Sequence, residues 1–258
     1  MFHKIVSFFC FIIKSKNEHG VHSPFVFDLI TSCFYKKKGK NDLTIFLNYK
    51  KQLSKNTSLL EISNFNFMSR LVLSHKIKRS RIFKDSEISN KRARLLINLI
   101  QYLKPKNILE IGTGFGINTV VLSSAKRNSK ITTLEENEQV VIAIKEMFKK
   151  NTFKNLKFLT GNFDITLPRV FNNNTYDFIH FKGSCTNKTI LKYFESSLLS
   201  IDNNSVFLFE NIHSNKESEK VWNYIKKHEK VTVTIDTFLW GFVFFRKEQE
   251  KEHFIIRI

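Results

Sequence analysis

From Asn107 onward, short runs of β-branched or aromatic residues alternate with stretches whose apolar positions recur every three or four residues. The runs are NILEI at 107–111, KITTL at 130–134, LKFL at 156–159, DFIHF at 177–181 and VFLF at 206–209. Such alternation predicts βαβ units, hence a parallel sheet covered by helices. Near the end, VTVTIDTF at 231–238 and GFVFFR at 241–246 are separated by Leu239 and Trp240 alone. That gap excludes a crossover helix and predicts an antiparallel hairpin. The expected architecture is a doubly wound α/β sheet that finishes with an antiparallel strand. Trp240 and the phenylalanines at 242–245 read as core of that sheet.

Before Asn107 the pattern changes. Helical periodicity covers Phe25 to Phe34, Ile45 to Leu53 and Arg92 to Leu103, and Lys104-Pro105 punctuates the junction with the first strand. Residues 1–106 therefore read as an N-terminal helical region and 107–258 as the sheet domain. Segment 54–90 is polar and lysine-rich with scattered phenylalanines, and is expected to form a lid. The apolar stretch Ile5 to Ile13 is far short of the ~20 residues a membrane span needs. No cleavage site of small residues follows it. Residues 2–14 read as an amphipathic helix that packs on the protein, with contact to a membrane surface as the less favoured reading. His19 and His22 read as part of the packing around a helix that starts at Ser23-Pro24.

The first strand runs into Glu110-Ile111-Gly112-Thr113-Gly114-Phe115-Gly116, and then into the helical stretch INTVVLSSAK, which contains Asn118. Glycines after a strand let the backbone turn sharply and approach a ligand at the carboxyl edge of the sheet. The spacing is G-x-G-x-G, not the G-x-G-x-x-G that seats a pyrophosphate. A carboxylate at Glu110 would repel a dinucleotide's phosphates and attract a ligand carrying an ammonium and a sulfonium. The loop thus favours S-adenosylmethionine (SAM) over NAD. Glu135 ends the next strand 19 residues after Gly116, where a carboxylate reaches both ribose hydroxyls.

With these motifs the sequence resembles class I SAM-dependent methyltransferases, specifically a bacterial group related to the catechol and caffeoyl-CoA O-methyltransferases. The resemblance covers nearly the whole chain. Besides the EIGTGFG loop, it rests on HGVHSPFVFDLIT (His19 to Thr31) and TIDTFLWGFVFFRKEQEKEHF (Thr234 to Phe254). It implies a Rossmann-like, seven-stranded, mostly parallel sheet with SAM across its carboxyl edge. It also implies methyl transfer to a small-molecule acceptor, often with a divalent cation. Glu110, Gly112, Thr113, Gly114, Gly116, Asn118 and Glu135 fall at the family's cofactor positions. Asn162 and Phe163 follow the third strand, where relatives hold the adenine.

The cation pattern departs from the family. After the fourth strand the chain reads FKGSC, with Lys182 where relatives place an aspartate and Cys185 where they place a histidine. After the fifth it reads FENIHSN, so Glu210 and Asn211 stand where D-D or D-N is usual. An ammonium among hard oxygen ligands would repel Mg²⁺, so no metal site is expected. Relatives also carry a glycine-rich D-F-G-A-G-S loop where this chain has NFNFMSR (Asn64 to Arg70). Phe67 and Met68 cannot take the glycine conformations of that loop.

Methyl transfer is a displacement on an already activated sulfonium, so the protein needs mainly to align the acceptor and deprotonate it. Lys182 paired with Glu210 is the candidate pair for holding the acceptor oxygen, with Lys182 as base. Asn211 stands beside them, and His213 is a second candidate base. The first reading is a metal-independent methyltransferase acting on a small-molecule O or N acceptor. The second is a catalytically lapsed SAM-fold protein with a binding or regulatory role.

Charge adds a competing suggestion. The chain has 42 basic and 23 acidic residues, a net of +19. Residues 1–106 hold 21 and 6 of these, a net of +15. Such a front half could attract a polyanion. However, 33 lysines against 9 arginines, with abundant asparagine, fit codon bias, and the basic, aromatic-interleaved motif of an RNA-binding sheet is missing. Pro24, Pro105 and Pro168 form neither a D/N-P-P-Y motif nor a Pro-Cys pair, so the nucleic-acid methylation signatures are missing as well. Nucleic acid is not an expected partner, whereas a homodimer is admitted. Cys10, Cys33 and Cys185 are odd in number and far apart, which excludes a disulfide framework and suits a reducing cytoplasm.

Overall fold

The computed structural model describes residues 2–36, 43–62, 65–67, 70–72, 75–78, 80, 88–148, 153–182 and 187–258. Contacts divide the chain into two compact units, 36–166 and 1–35 with 167–258.

In the unit 36–166 three parallel strands, β5 (Asn107–Ile111), β6 (Lys130–Glu135) and β7 (Leu156–Thr160), lie in the order β5-β6-β7. Ile111 pairs with Leu134, and Glu135 with Thr160, so both β5 and β6 end at the same edge. Among the described residues the helices α3 (Thr44–Lys55), α4 (Asn90–Leu103), α5 (Ile117–Ala125) and α6 (Glu138–Phe148) accompany them. The start of α4 is capped by Ser89, whose hydroxyl accepts from Arg92 N–H at 3.2 Å. Its end is the left-handed Lys104 (φ 51°), after which Pro105 cannot continue the helix. Helix α5 is buried from Ile117 to Ser123, because α3 and α4 both pack against it.

Among the described residues of the expected lid region, four short strands form two antiparallel pairs. Residues Leu59–Ile62 (β1) pair antiparallel with His75–Lys78 (β4), and Phe65–Phe67 (β2) with Arg70–Val72 (β3). The alternation in HKIK and LLEI carries this signal. Met68 and residues 81–87 of the expected lid lie outside the described residues.

In the other unit the strand order is β12-β10-β11-β9-β8, built from β8 (Phe178–Phe181), β9 (Val206–Glu210), β10 (Val233–Asp236), β11 (Trp240–Phe244) and β12 (Glu252–Ile255). All seven anticipated strands form, and β11 is antiparallel to both β9 and β10. The hairpin turn passes through the left-handed Phe238 (φ 70°). Strand β12 was not anticipated. It pairs parallel to β10, and the Thr234 and His253 side chains meet at 2.9 Å. Helices α8 (Asn187–Ser197) and α9 (Lys216–Lys227) pack on each other in this unit. The chain passes between units within α7 (Phe163–Asn173).

Phenylalanine supplies much of this core. The rings of Phe181 and Phe209 stack at 4.4 Å, Phe207 and Phe245 meet edge to face at 4.7 Å, and Trp240 and Phe242 to Phe245 are buried as anticipated. Each such ring removed from water contributes roughly 1.5–3 kcal/mol. Near the amino end, Ser23 caps α2 (Pro24–Leu29), which continues into one wide turn over Ile30–Phe34. Helix α1 (Phe2–Lys14) is followed by Lys16, which pairs with Ile256 in an isolated parallel bridge. Among the described residues no helix is long and apolar enough to cross a membrane.

Candidate functional site

The glycine loop follows β5. Gly112, Gly114 and Gly116 all have positive φ, at 92°, 53° and 70°. This is the region where side chains are strained and glycine is not. The turn is pinned on one side by Leu134 O, which accepts from Gly112 and Thr113 N–H at 2.9 Å each. On the other side, Tyr49 from α3 donates its hydroxyl to Phe115 O at 2.8 Å. A Cβ on Gly116 would come within 2.9 Å of Phe148 Cζ and 3.1 Å of the Tyr49 hydroxyl.

Glu135 stands at the carboxyl end of β6. One of its oxygens accepts from Gly114 N–H at 2.8 Å, and the other accepts from Glu136 and Asn137 N–H at 3.1 and 3.2 Å. Three backbone donors thus fix a carboxylate beside the glycine turn. Glu110 is fully buried, and its Oε2 accepts from Thr119 Oγ1 at 2.6 Å and Thr133 Oγ1 at 2.7 Å. Thr113 and Thr133 share a further hydroxyl contact at 2.6 Å, so loop, β6 and α5 are tied through one carboxylate. Asn118 is buried in the first turn of α5.

After β7 and the positive-φ Gly161, Asn162 caps α7 through its side chain, which accepts from Asp164 N–H at 2.8 Å. Phe163 is buried, and its N–H donates to Glu136 at 2.9 Å. All nine sequence-predicted cofactor residues therefore fall within the unit 36–166, near the carboxyl ends of β5 and β6, on the loops that follow β5 and β7, and at the starts of α5 and α7.

The remaining candidates fall in the other unit. Phe181 pairs with Phe209 in parallel register, so Lys182 and Glu210 occupy adjacent positions at the ends of β8 and β9. Lys182 is half-buried. Glu210 Oε1 lies 3.1 Å from Nε2 of the fully buried His180. Asn211 is left-handed (φ 59°), and its N–H donates to Leu239 O. Gly183 to Thr186, including Cys185, lie outside the described residues. Among the described residues no group of three or more His, Cys, Asp or Glu is arranged to hold a metal ion.

His213 sits between two carboxylates, with Nδ1 2.8 Å from Glu219 and Nε2 2.7 Å from Asp236. Its ring also stacks on Phe238 at 5.3 Å. Burial alone would lower its pKa, but the hydrogen bonds to and charges of Asp236 and Glu219 outweigh burial and raise it. Both ring nitrogens are engaged within the protein, which leaves no lone pair directed at an acceptor's proton.

Sequence reasoning missed Tyr49, Thr119, Thr133, Glu136 and His180. Their partners are distant along the chain and no short motif announces them. His180 could have been noticed as a polar residue inside an otherwise apolar strand.

A family model described as a methyltransferase domain matches residues 103–252. No curated protein matches the chain. Among solved structures, the SAH-bound methyltransferase PaMTH1 of Podospora anserina is 18% identical, with 63% of this chain and 81% of that one covered at a TM-score of 0.56. An O-methyltransferase of Bacillus cereus, also in complex with SAH, is 16% identical and covers 84% and 96% at 0.54. TomG of Streptomyces achromogenes, an O-methyltransferase of tomaymycin synthesis solved with SAM, is 16% identical and covers 64% and 85% at 0.55. At these identities the structures establish the Rossmann-like methyltransferase fold. With more than half of its length matched by the family model, the chain belongs to the methyltransferase-domain family, in agreement with its resemblance to class I SAM-dependent methyltransferases.

Proposed function

We propose that this protein transfers the methyl group of SAM to a small-molecule O or N acceptor without a divalent cation. The observation that carries the cofactor assignment is Glu135, held by the backbone donors of Gly114, Glu136 and Asn137 beside three left-handed glycines. A carboxylate at the end of the second parallel strand suits the two ribose hydroxyls, and the glycine turn admits close approach of a ligand to the backbone. Thr113, Asn118, Asn162 and Phe163 complete the cofactor set in this reading, with Glu110 supporting the loop from beneath. SAM supplies an activated methyl group on a sulfonium.

The acceptor chemistry falls to Lys182, Glu210 and Asn211. Lys182, as the neutral amine, orients the acceptor oxygen or nitrogen and takes its proton at Nζ to become the ammonium. Glu210, steadied by His180, balances the charge. His213 acts as a positioning residue that ties the loop after β9 to Asp236 on β10. The division at residue 107 into a front region and a SAM-binding domain, with a cytoplasmic location, belongs to the same proposal.

Mass spectrometry of ligand co-purified with the chain, together with transfer of labelled methyl from SAM into that ligand, tests the reading. Transfer that survives EDTA supports it. SAM binding with no transfer to any co-purified ligand would instead favour the catalytically lapsed role.

A further inference from the structure

Helix α1 presents its apolar side outward. At 100° per residue, His3, Ser7 and Phe11 share one face. Ser7 and Phe11 are buried, and His3 Nε2 lies 3.4 Å from both Ser7 Oγ and Glu219 Oε2. The opposite arc carries Ile5, Val6, Phe9 and Ile13, which are 50%, 43%, 63% and 82% exposed. Phe8 lies at the margin, its ring edge to face with Phe238 at 5.0 Å while 44% of it remains exposed.

This orientation is held by specific contacts. Glu219 links α1 to His213, and beyond it to Asp236, while Phe11 packs on Phe238 at 5.5 Å. At the far end, the Lys16 N–H donates to Ile255 O, and Arg257 N–H donates to Lys16 O. Turning the apolar arc inward would break this network and carry Phe11 out of its contact with Phe238. The outward apolar face is therefore built into the unit, and it needs an apolar surrounding.

Charge decides which. Exposed Lys4 lies near the amino end of α1, and exposed Lys14 and Lys16 lie at its carboxyl end. Beside that end is a cavity of about 320 Å³ whose polar lining is Lys14, Lys16, His22, His253 and a single carboxylate, Glu252. Lys226 and His253 sit close enough to this cluster to feel it. Burial lowers the Lys226 pKa, Lys14 and Lys227 lower it further, and Asp236 and Glu219 oppose them. His253 is lowered by burial and then by Lys226 and Lys251. An apolar arc that ends in concentrated positive charge matches the boundary between acyl chains and anionic headgroups. The helix is 13 residues, about 20 Å long, so it lies on a bilayer and does not cross it.

We propose that α1 is an interfacial anchor that seats this protein on an anionic lipid bilayer, with Ile5, Phe9 and Ile13 in the acyl-headgroup boundary and Lys14 and Lys16 against lipid phosphates. The proposal does not rest on methyl transfer, and its test uses no activity.

Flotation of the full chain with vesicles of phosphatidylcholine alone, and of phosphatidylcholine with phosphatidylglycerol, tests it. The chain floats with the anionic vesicles, stays behind with the neutral ones, and is released as salt rises. The double variant Phe9→Asp/Ile13→Asp lowers the partition at least about tenfold, and Lys14→Gln or Lys16→Gln each lowers it about fivefold. Because both native tryptophans are buried, the indole introduced by Phe9→Trp reports insertion independently, by a blue shift on anionic vesicles. Failure to float with anionic vesicles overturns the proposal, as does an unshifted Phe9→Trp emission. A two-copy mass in light scattering that Ile13→Asp returns to one copy, without vesicle binding, would assign the face to a second copy of the chain and equally overturn it.

Discussion

Tyr49 on α3 donates its hydroxyl to the Phe115 carbonyl at 2.8 Å, so a helix from the front third of the chain holds the middle of the glycine loop. Both groups are buried, and removing the donor leaves the carbonyl without that partner. Tyr49→Phe is expected to cost about 1–3 kcal/mol of stability and to weaken SAM binding by loosening the loop. Urea unfolding with and without SAM checks both effects. A stability unchanged from the parent would show that the hydroxyl contact contributes nothing.

Gly116 leaves little room for a side chain. Its φ of 70° disfavours any side chain by about 1–2 kcal/mol, and a Cβ would press on Phe148, Ile144 and Tyr49 within 3.1 Å. Gly116→Ala is expected to lower the melting temperature by several degrees at the least. Differential scanning calorimetry decides, and a melting temperature within a degree or so of the parent would count against the packing described.

His213 and Glu219 give stability a pH signature. The folded-state pKa of His213 lies above its ordinary 6.5, because Asp236 and Glu219 outweigh its burial. Its contribution is therefore complete below 6.5 and is lost as pH rises through the folded value. Glu219 lies below its ordinary 4.5, since hydrogen bonds from Ser7 and His213 and the charges of His213 and His3 outweigh burial. Its contribution is present above 4.5 and is lost as pH falls through the folded value. Urea midpoints measured across that span should show His213→Gln removing the alkaline decline. A parent whose stability does not decline above the His213 titration would contradict the two-carboxylate arrangement.

The seven strands from 107 to 244 were legible because buried parallel strands need unbroken apolar runs, and the turns between them are marked by glycine and proline. The pairs at 59–78 were obscured by Arg70, Lys76 and Lys78, whose charges suggest loop although they alternate with apolar residues as a strand requires. Strand β12 begins with Glu252 and His253 directly after the charged run RKEQEK at 246–251, so its first half reads as loop. In the candidate site, the glycines and Glu135 were legible because backbone geometry demands them. The ties from Thr119 and Thr133 to Glu110, and from Tyr49 to Phe115, were not, since folding alone brings those groups together.

Lys182 offers a gain-of-function test of the metal-free reading. Lys182 follows Phe181, the register partner of Phe209, and so stands beside Glu210. EDTA should leave SAM binding unchanged. Lys182→Asp should create Mg²⁺ or Ca²⁺ affinity by placing three oxygen-bearing side chains together with Glu210 and Asn211. Titration of both proteins checks this, and cation binding by the parent at this position would refute it.

The central claim is that the anchored Glu135 carboxylate and the glycine loop beside it form a SAM site. Isothermal titration calorimetry of the full chain with SAM and with SAH tests it most directly. Both ligands are expected to bind at micromolar concentration. Glu135→Gln should weaken each by roughly 1.5–3 kcal/mol, the range for hydrogen bonds to a charged group, while the chain stays folded by circular dichroism. No heat with either ligand at high protein concentration, or equal binding by the variant, would contradict it.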